Sequence, residues 1–422
     1  MNKTVLVVAF HFPPAAVSSG LQRALKTVRF LHEDGWQPIV LTASPRAYPK
    51  THDGQLAEIP CGVPVKRVFS VDASRYFSIR GRYPDFLTWP DRWSNWFPGA
   101  AIAGQALIRQ HRPSIIWSTF PISTTNLVAS HLAVRNGLPW VADLRDPMTL
   151  DGYPPDKSRH RVVTKLEQRT VRLASRVVFT SEYTRRLYRE RYPEHADRMK
   201  LIPNGYDEGN FPDIDEQPTR SDGKLRLLHS GSLQPKGRSP ATLFQAIAAL
   251  KSAGVASAEN LSVVLRGTEF DAAYVGEIER FGVADVVSLE PYLPYERALA
   301  EMVNSDVLLL FQGEVFNHAI PAKLYEYLYA RKPILAIVDK RGGTQSALED
   351  MNVRESASID SPKEIEACLR KLLDGGENAA GFLPDESAIP KYSRRQHTRT
   401  LAAMMERLLK ERARSAVHEA LK

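Results

Sequence analysis

Residues 4–42, TVLVVAFHFPPAAVSSGLQRALKTVRFLHEDGWQPIVLT, decide the architecture. The run from Thr4 to Phe10 is continuously apolar and rich in β-branched residues, as in a strand covered on both faces. A loop with Pro13, Pro14 and Gly20 follows. Leu21, Leu25, Val28 and Leu31 then recur at helical spacing and stop before Gly35, and Ile39–Thr42 opens a second strand. Strand, helix, strand is a βαβ unit, and it demands a parallel sheet.

Working outward, the alternation continues. Strands are expected at Ser114-IIWS, Trp140-VADL, Arg176-VVFTS and Lys200-LIPNG, with helices at about 124–136 and 161–173. The stretch 204–223 carries Gly, Pro and acidic residues without a period and reads as a linker. A second series begins at Leu225-RLLHSGSL and runs through Leu261-SVVLRG, Val286-VSLE, Asp306-VLLLF and Pro333-ILAIV, with helices after Pro240, near 274–281, after Pro294 and after Pro321. From about Arg394 a long helix carries an apolar stripe of Leu401, Met404, Leu408 and Leu409, suited to packing back on the first domain. The expected fold is α/β: two Rossmann-like doubly wound parallel-sheet domains facing across a cleft. The first is residues 1–205 joined by 394–422, the second is 223–393, and ligands belong at strand C-termini.

Composition narrows the class. With 422 residues, 43% apolar and 25% charged, the chain suits two globular domains. No apolar run approaches the ~18 residues of a membrane span, and the N-terminus does not read as a secretory signal. Cys61 and Cys368 stand far apart, without metal spacing, and read as reduced. The cytoplasm is the expected location. The net charge of +8 is uneven: +13 over residues 1–200, −11 over 201–390 and +6 over 391–422. A basic first half suits peripheral contact with the anionic inner face of a membrane or with an anionic acceptor, or is plain solvating charge. No nucleic-acid recognition motif accompanies it.

Three segments offer chemistry. The loop before the first helix places Ser18, Ser19 and Gly20 where free backbone N–H groups and the helix dipole meet an anion. It is not a GxGxxG dinucleotide loop. At the matching place in the second half, His229-SGSLQPKGRSP sets Gly231 beside Lys236 and Arg238, cations able to neutralise a departing diphosphate. In Phe316-NHAIPAKLYEYLYARKP, Pro321 suits the first turn of a helix and Glu326 can accept hydrogen bonds from a ribose diol. Taken singly, each also fits an ordinary turn or a solvated helix.

Together, Pro321-AKLYEYLYARKPILAI, HFPPAAVSSGLQR, Trp140-VADLRDP, Leu201-IPNGYD and Gly231-SLQPKG resemble, in order and over nearly the whole chain, family-4-type retaining glycosyltransferases of the GT-B fold. The resemblance implies a nucleotide-diphosphate sugar donor, UDP-linked rather than GDP-linked. It implies a glycan or lipid-linked glycan acceptor in bacterial cell-surface polysaccharide synthesis, and neither a metal nor a cofactor. Carried over by residue, Glu326 matches the second glutamate of the E-x7-E motif and holds the ribose. Lys236 matches the lysine on the donor phosphates, with Arg238 sharing that role. Gly20 matches the glycine that approaches the diphosphate from the first domain. The donor side further takes in Ser19, Gly231, Arg266, Tyr292, Ile320, Pro321, Ala322, Lys323 and Leu324. The acceptor side takes in Thr119, Asp143, Arg145 and Asp146. Two departures stand out. Ser232 stands where many members have arginine, and His318 occupies the position of the first glutamate, beside the donor sugar. His318, Glu326 and Lys236 form the expected catalytic set. The loss of that glutamate leaves open a degenerate binding or scaffolding protein on the same fold; a sugar-nucleotide epimerase is a third reading. The aromatics of Tyr83-PDFLTWPDRWSNWFPGA and the basic series Arg161, Lys165, Arg169, Arg172 and Arg176 suit either a lipid-facing surface or, respectively, core packing and solvation.

Overall fold

The computed structural model describes residues 2–16, 18–76, 88–212 and 223–420, with only the backbone of residues 18, 19 and 416–420. The chain forms two compact units, Met1–Pro203 with Arg394–Lys422, and Asn204–Ser393.

The first unit is built on strands β1 (Thr4–Ala9), β2 (Gln37–Ala43), β3 (Val65–Val68), β4 (Ile115–Thr119), β5 (Trp140–Leu144), β6 (Arg176–Phe179) and β7 (Met199–Leu201). All pair in parallel, in the order β3-β2-β1-β4-β5-β6-β7. The order reverses between β1 and β4, the switch point at which doubly wound sheets bind ligands. Helices α1 (Ser18–Glu33), α2 (Ala73–Tyr76), α3 (Trp96–His111), α4 (Ser123–Asn136), α5 (Lys157–Leu173) and α6 (Glu182–Arg191) connect the strands. Alternate residues of β1 serve opposite faces: Leu6 and Val8 join one apolar cluster, Val5, Val7 and Ala9 the other. That two-sided burial is why the sequence runs apolar without a break. Helix α5 starts at Lys157, four residues before its apolar period becomes visible, because Asp156 caps it by accepting from Arg159 N at 2.6 Å.

The C-terminal helix, Arg394–Ala420, belongs to this first unit. Leu401, Ala402, Met405 and Leu408 are buried in a cluster with Ala24, Leu25 and Val28 of α1, while Met404 and Leu409 pack at its margin. Ion pairs from Arg395 to Glu33 (2.8 Å) and from Lys3 to Glu406 (2.8 Å) line the contact.

The second unit carries β8 (Leu225–Ser230), β9 (Leu261–Arg266), β10 (Val287–Glu290), β11 (Val307–Gln312), β12 (Ile334–Val338) and β13 (Ser356–Ser358), parallel in the order β10-β9-β8-β11-β12-β13. The connecting helices are α7 (Ala241–Ser252), α8 (Asp271–Phe281), α9 (Tyr295–Val303), α10 (Ala322–Tyr329), α11 (Gly343–Asp350) and α12 (Pro362–Asp374). Leu309 and Phe311 face one apolar layer, Leu308 and Leu310 the other. The switch point lies between β8 and β11. Residues 204–212 are part of this unit: Tyr206 stacks on Tyr329 with ring centroids 4.3 Å apart and donates to Ile389 O at 3.0 Å.

Trp93 and Trp96 are buried in the first unit's core, at 9% and 0% exposure. Tyr83 and the four residues after it lie outside the described residues. No helix among the described residues is long and apolar enough to cross a membrane.

Candidate active site

The second unit gathers most of the candidate donor residues at the C-terminal ends of β8 and β11. Beyond β8 the chain turns at Gly231, whose φ of 113° is left-handed backbone that favours glycine. A Cβ there would lie 3.1 Å from Lys323 Nζ, so the missing side chain leaves the ammonium its place. Lys323 reaches this turn from the first turn of α10 and stands 2.9 Å from His229 Nε2 at the end of β8. The other ring nitrogen, Nδ1, lies 2.9 Å from Leu309 O. Nε2 lies against a carbonyl too, Gly231 O at 3.1 Å, but an ammonium only donates, so towards a charged Lys323 Nε2 is the acceptor and Nδ1 carries the proton to Leu309 O. Burial, with Lys323 and Arg238 nearby, holds the His229 imidazole well below its ordinary range and keeps it neutral. Burial and the Arg238 charge, opposed by Glu326, lower the Lys323 ammonium to about 7.

Arg238 is held in place. Its Nε donates to Gln312 Oε1 at 2.8 Å, and its guanidinium lies 4.2 Å from the centroid of the Phe316 ring. The Gln312 amide donates in turn to Phe316 O (3.0 Å) and Ala319 O (2.9 Å). One side chain at the end of β11 therefore shapes the turn that carries His318, Ile320 and Pro321, all half-buried. Asn317 fixes the far side of that turn by donating to Asp339 at 2.9 Å. Ala322 opens α10, and Glu326 is 8% exposed and accepts from the Tyr295 hydroxyl at 2.7 Å.

Other candidates stand differently. Lys236 projects into solvent from the turn between β8 and α7. Leu324 is fully buried in the core of the second unit, so its side chain meets no ligand. Arg266 is an ion-pair partner of Glu301 and donates to Pro291 O at 2.8 Å. Glu301 also takes Arg226 at 2.8 Å, which makes this a structural cluster. Tyr292 is 76% exposed.

In the first unit, Gly20 is buried in the opening turn of α1, and the guanidinium of Arg145 lies against it. Arg145 follows β5 and is fixed by donating from Nε to Phe120 O, while its carbonyl accepts from Thr180 at 2.6 Å. Asp146 is half-buried beside it, and Thr119 ends β4 nearly buried. Of Ser19 only the backbone is described. Asp143 has a different task from ligand contact: fully buried, it takes both hydrogen bonds of a bidentate pair with Arg23. Arg23 also donates to Ile202 O and Pro203 O at 3.0 and 2.8 Å, tying α1 to the exit of the sheet.

Sequence reasoning gave no role to His229, Tyr295 or His11. Burial and the nearby Arg145 and Arg92 charges push the His11 imidazole, at the end of β1, down to about 3. The loop beyond Arg145 is pinned by Glu167 of α5, a fully buried carboxylate that accepts from Thr149 N and Oγ1 (both 3.0 Å), Arg191 (2.6 Å), Tyr188 (2.5 Å) and Tyr192 (2.7 Å). Only proximity in space reveals these roles.

Chemically, the second unit offers a glycine turn, a fixed arginine, a lysine and a helix start for a diphosphate, and a positioned carboxylate for a diol. No curated protein matches the chain in sequence. Residues 20–205 match the family described as Glycosyl transferase 4-like domain. Among solved structures, the chain is similar to HepE of Anabaena in complex with UDP and glucose (14% identity, 96% of this chain and 99% of that one, TM-score 0.64). It is similar to the sucrose-phosphate synthase of Thermosynechococcus elongatus (14%, 98% and 100%, TM-score 0.66). It is also similar to WaaG, a glycosyltransferase involved in lipopolysaccharide biosynthesis (14%, 95% and 99%, TM-score 0.62). Two doubly wound parallel sheets, the similarity of the whole chain to these structures and a family match over most of the first unit lead to one conclusion: the chain has the GT-B fold, and its residues 20–205 match the glycosyl transferase 4-like domain family.

Proposed function

We propose that this protein is a glycosyltransferase that moves a sugar from a UDP-sugar to a glycan or lipid-linked glycan acceptor of bacterial cell-surface polysaccharide, with retention at the anomeric carbon. The observation that carries the donor half is the convergence of Gly231, Arg238 and Lys323 at the β8/β11 switch point, with Glu326 one helical turn further on. The diphosphate takes the cations and the amides of the Gly231 turn; Glu326 takes the ribose hydroxyls, and His318 donates to the sugar. Lys236 closes on the phosphates from its exposed turn. The preference for UDP draws on the UDP complexes of HepE.

In the reaction, the bond between the anomeric carbon and the β-phosphate oxygen breaks and its electron pair stays on that oxygen. The acceptor hydroxyl attacks from the same face and forms the new C–O bond. Its proton passes to the departing phosphate oxygen. Positive charge aimed at that oxygen lowers the barrier, so the reaction needs no divalent cation. In the first unit, Arg145 at Gly20, with Asp146 and Thr119 beside it, holds the acceptor. Arg161, Lys165 and Arg172 are exposed on α5 and recur on one face, which supports contact with anionic lipid headgroups.

The test is turnover. The purified protein is incubated with UDP-glucose, UDP-galactose, UDP-N-acetylglucosamine and GDP-mannose, with and without lipid-linked acceptors and with EDTA. Release of UDP that Glu326→Ala abolishes and EDTA spares is the expected result. Binding of a nucleotide sugar without turnover on any acceptor would instead favour a degenerate, scaffolding relative. No binding of any of the four overturns the donor assignment.

A further inference from the structure

We propose that the second unit takes up a proton when it binds the diphosphate of a sugar nucleotide, and that Lys323, held on the neutral imidazole of His229, is the group that takes it. The inference rests on the donor reading above and adds to it a dependence of affinity on pH.

The argument is geometric first. Among the described residues, His229 is the one hydrogen-bond partner of the Lys323 ammonium, at 2.9 Å. A lysine is ordinarily stabilised by a carboxylate or by water. Here its partner is an uncharged nitrogen, which also lies 3.1 Å from Gly231 O, and the ring is kept from gaining a charge of its own by its burial beside the Lys323 and Arg238 cations. The charged and titratable groups that act on Lys323 are His229 on β8, Arg238 in the turn after β8 and Glu326 on its own helix. Arg238 is a second cation and repels it. Glu326 attracts it, but accepts a hydrogen bond from Tyr295 and lies a full turn along α10. The result is a site with one fixed positive charge and one that is only half present at neutral pH, consistent with the lowering of Lys323 to about 7.

A diphosphate reverses this balance. It brings two negative charges to the glycine turn over which the ammonium lies, and an opposite charge at that range favours the protonated amine. Bound ligand and bound proton therefore stabilise each other. The site is tuned to be less cationic when empty and fully cationic when the leaving group needs it. Arg238 cannot play this part, since a guanidinium keeps its proton throughout the physiological range.

The experiment is isothermal titration of the full chain with UDP-glucose at pH 6, 7 and 8, in pairs of buffers that differ in heat of ionisation. UDP-glucose has no group that titrates appreciably between pH 6 and 8, so buffer-dependent heat reports protons bound by the protein. The expected uptake is about 0.1 proton at pH 6, about 0.5 at pH 7 and about 0.9 at pH 8, with affinity falling about eightfold from pH 7.5 to 8.5. In Lys323→Arg the uptake should vanish while binding persists. Lys323→Met, which carries no proton to gain, should also show none. Binding by the wild type with no buffer-dependent heat overturns the proposal and leaves the donor assignment standing. Uptake unchanged in Lys323→Arg overturns the role of Lys323. Failure to bind any of UDP-glucose, UDP-galactose, UDP-N-acetylglucosamine and GDP-mannose overturns the proposal together with the donor assignment.

Discussion

Arg23 grips Asp143 through two parallel hydrogen bonds, Nε to Oδ2 at 2.7 Å and Nη2 to Oδ1 at 3.0 Å, and the carboxylate is wholly buried. Removing one partner strands the other's charge in a low-dielectric interior. Asp143→Ala should lower stability by about 3–5 kcal/mol, read as a shift of the urea midpoint. Replacing both residues, as Arg23→Met with Asp143→Leu, should recover most of that loss. A double variant no more stable than Asp143→Ala would show that the pair's worth is not electrostatic.

Gly20 offers a cleaner functional test. A Cβ there would fall on the guanidinium of Arg145, the far end of a side chain that must then give up its hydrogen bond to Phe120 O. Gly20→Ala should therefore lower stability by no more than about 2 kcal/mol, the lost hydrogen bond being offset in part by the helix preference of alanine over glycine. It should nevertheless displace the guanidinium and depress transfer to acceptor far more than binding of the donor. Equal losses in both would remove Arg145 from the acceptor side.

His11 predicts an acid limb in stability. Its imidazole sits at about 3 in the folded chain against 6.5 in the unfolded one. The unfolded state therefore binds the proton first, and stability is complete above pH 6.5 and falls as the pH drops towards 3. By pH 4 this one group should have cost about 3 kcal/mol relative to pH 7. His11→Asn, which cannot titrate, should flatten that part of the curve in denaturant melts from pH 7 to 4. Parallel curves for the two proteins would contradict the assignment.

Glu326 and Tyr295 should separate by degree. Glu326→Ala removes a charged acceptor and should weaken UDP-sugar binding about tenfold to a hundredfold. Tyr295→Phe removes only the hydroxyl that orients it, which should weaken binding about two- to tenfold. Titration calorimetry on both variants decides it, and a larger effect from Tyr295→Phe would make the tyrosine the ligand contact.

The architecture was legible where burial is two-sided. The runs of β1, β11 and β12 are apolar because both faces are covered, and they stand out in any reading of the sequence. What escaped notice lacks that signal. The edge strand Val65–Val68 holds the adjacent charges Lys66 and Arg67 between two valines, and Ser356–Ser358 is three small residues long. Helix α3 begins in Trp-Phe-Pro and continues in small residues, so its aromatics suit a surface as well as a core, and only the structure shows Trp96 fully buried. At the site, the motif residues Gly231, Arg238 and Glu326 were readable singly. The meeting of His229 with Lys323, 94 residues apart, and of Arg23 with Asp143, 120 apart, is fixed by strand order and leaves no trace in local spacing.

The return of the C-terminal helix to the first unit also sets an order of events during synthesis. Leu401, Ala402, Met405 and Leu408 cover α1 from the last thirty residues of the chain. A nascent polypeptide that has emerged as far as Pro203 thus holds every strand of its first sheet yet keeps an apolar side of α1 open to solvent. That side is sealed only after the whole second unit has left the ribosome, so of these two domains the earlier to be translated is the later to be finished.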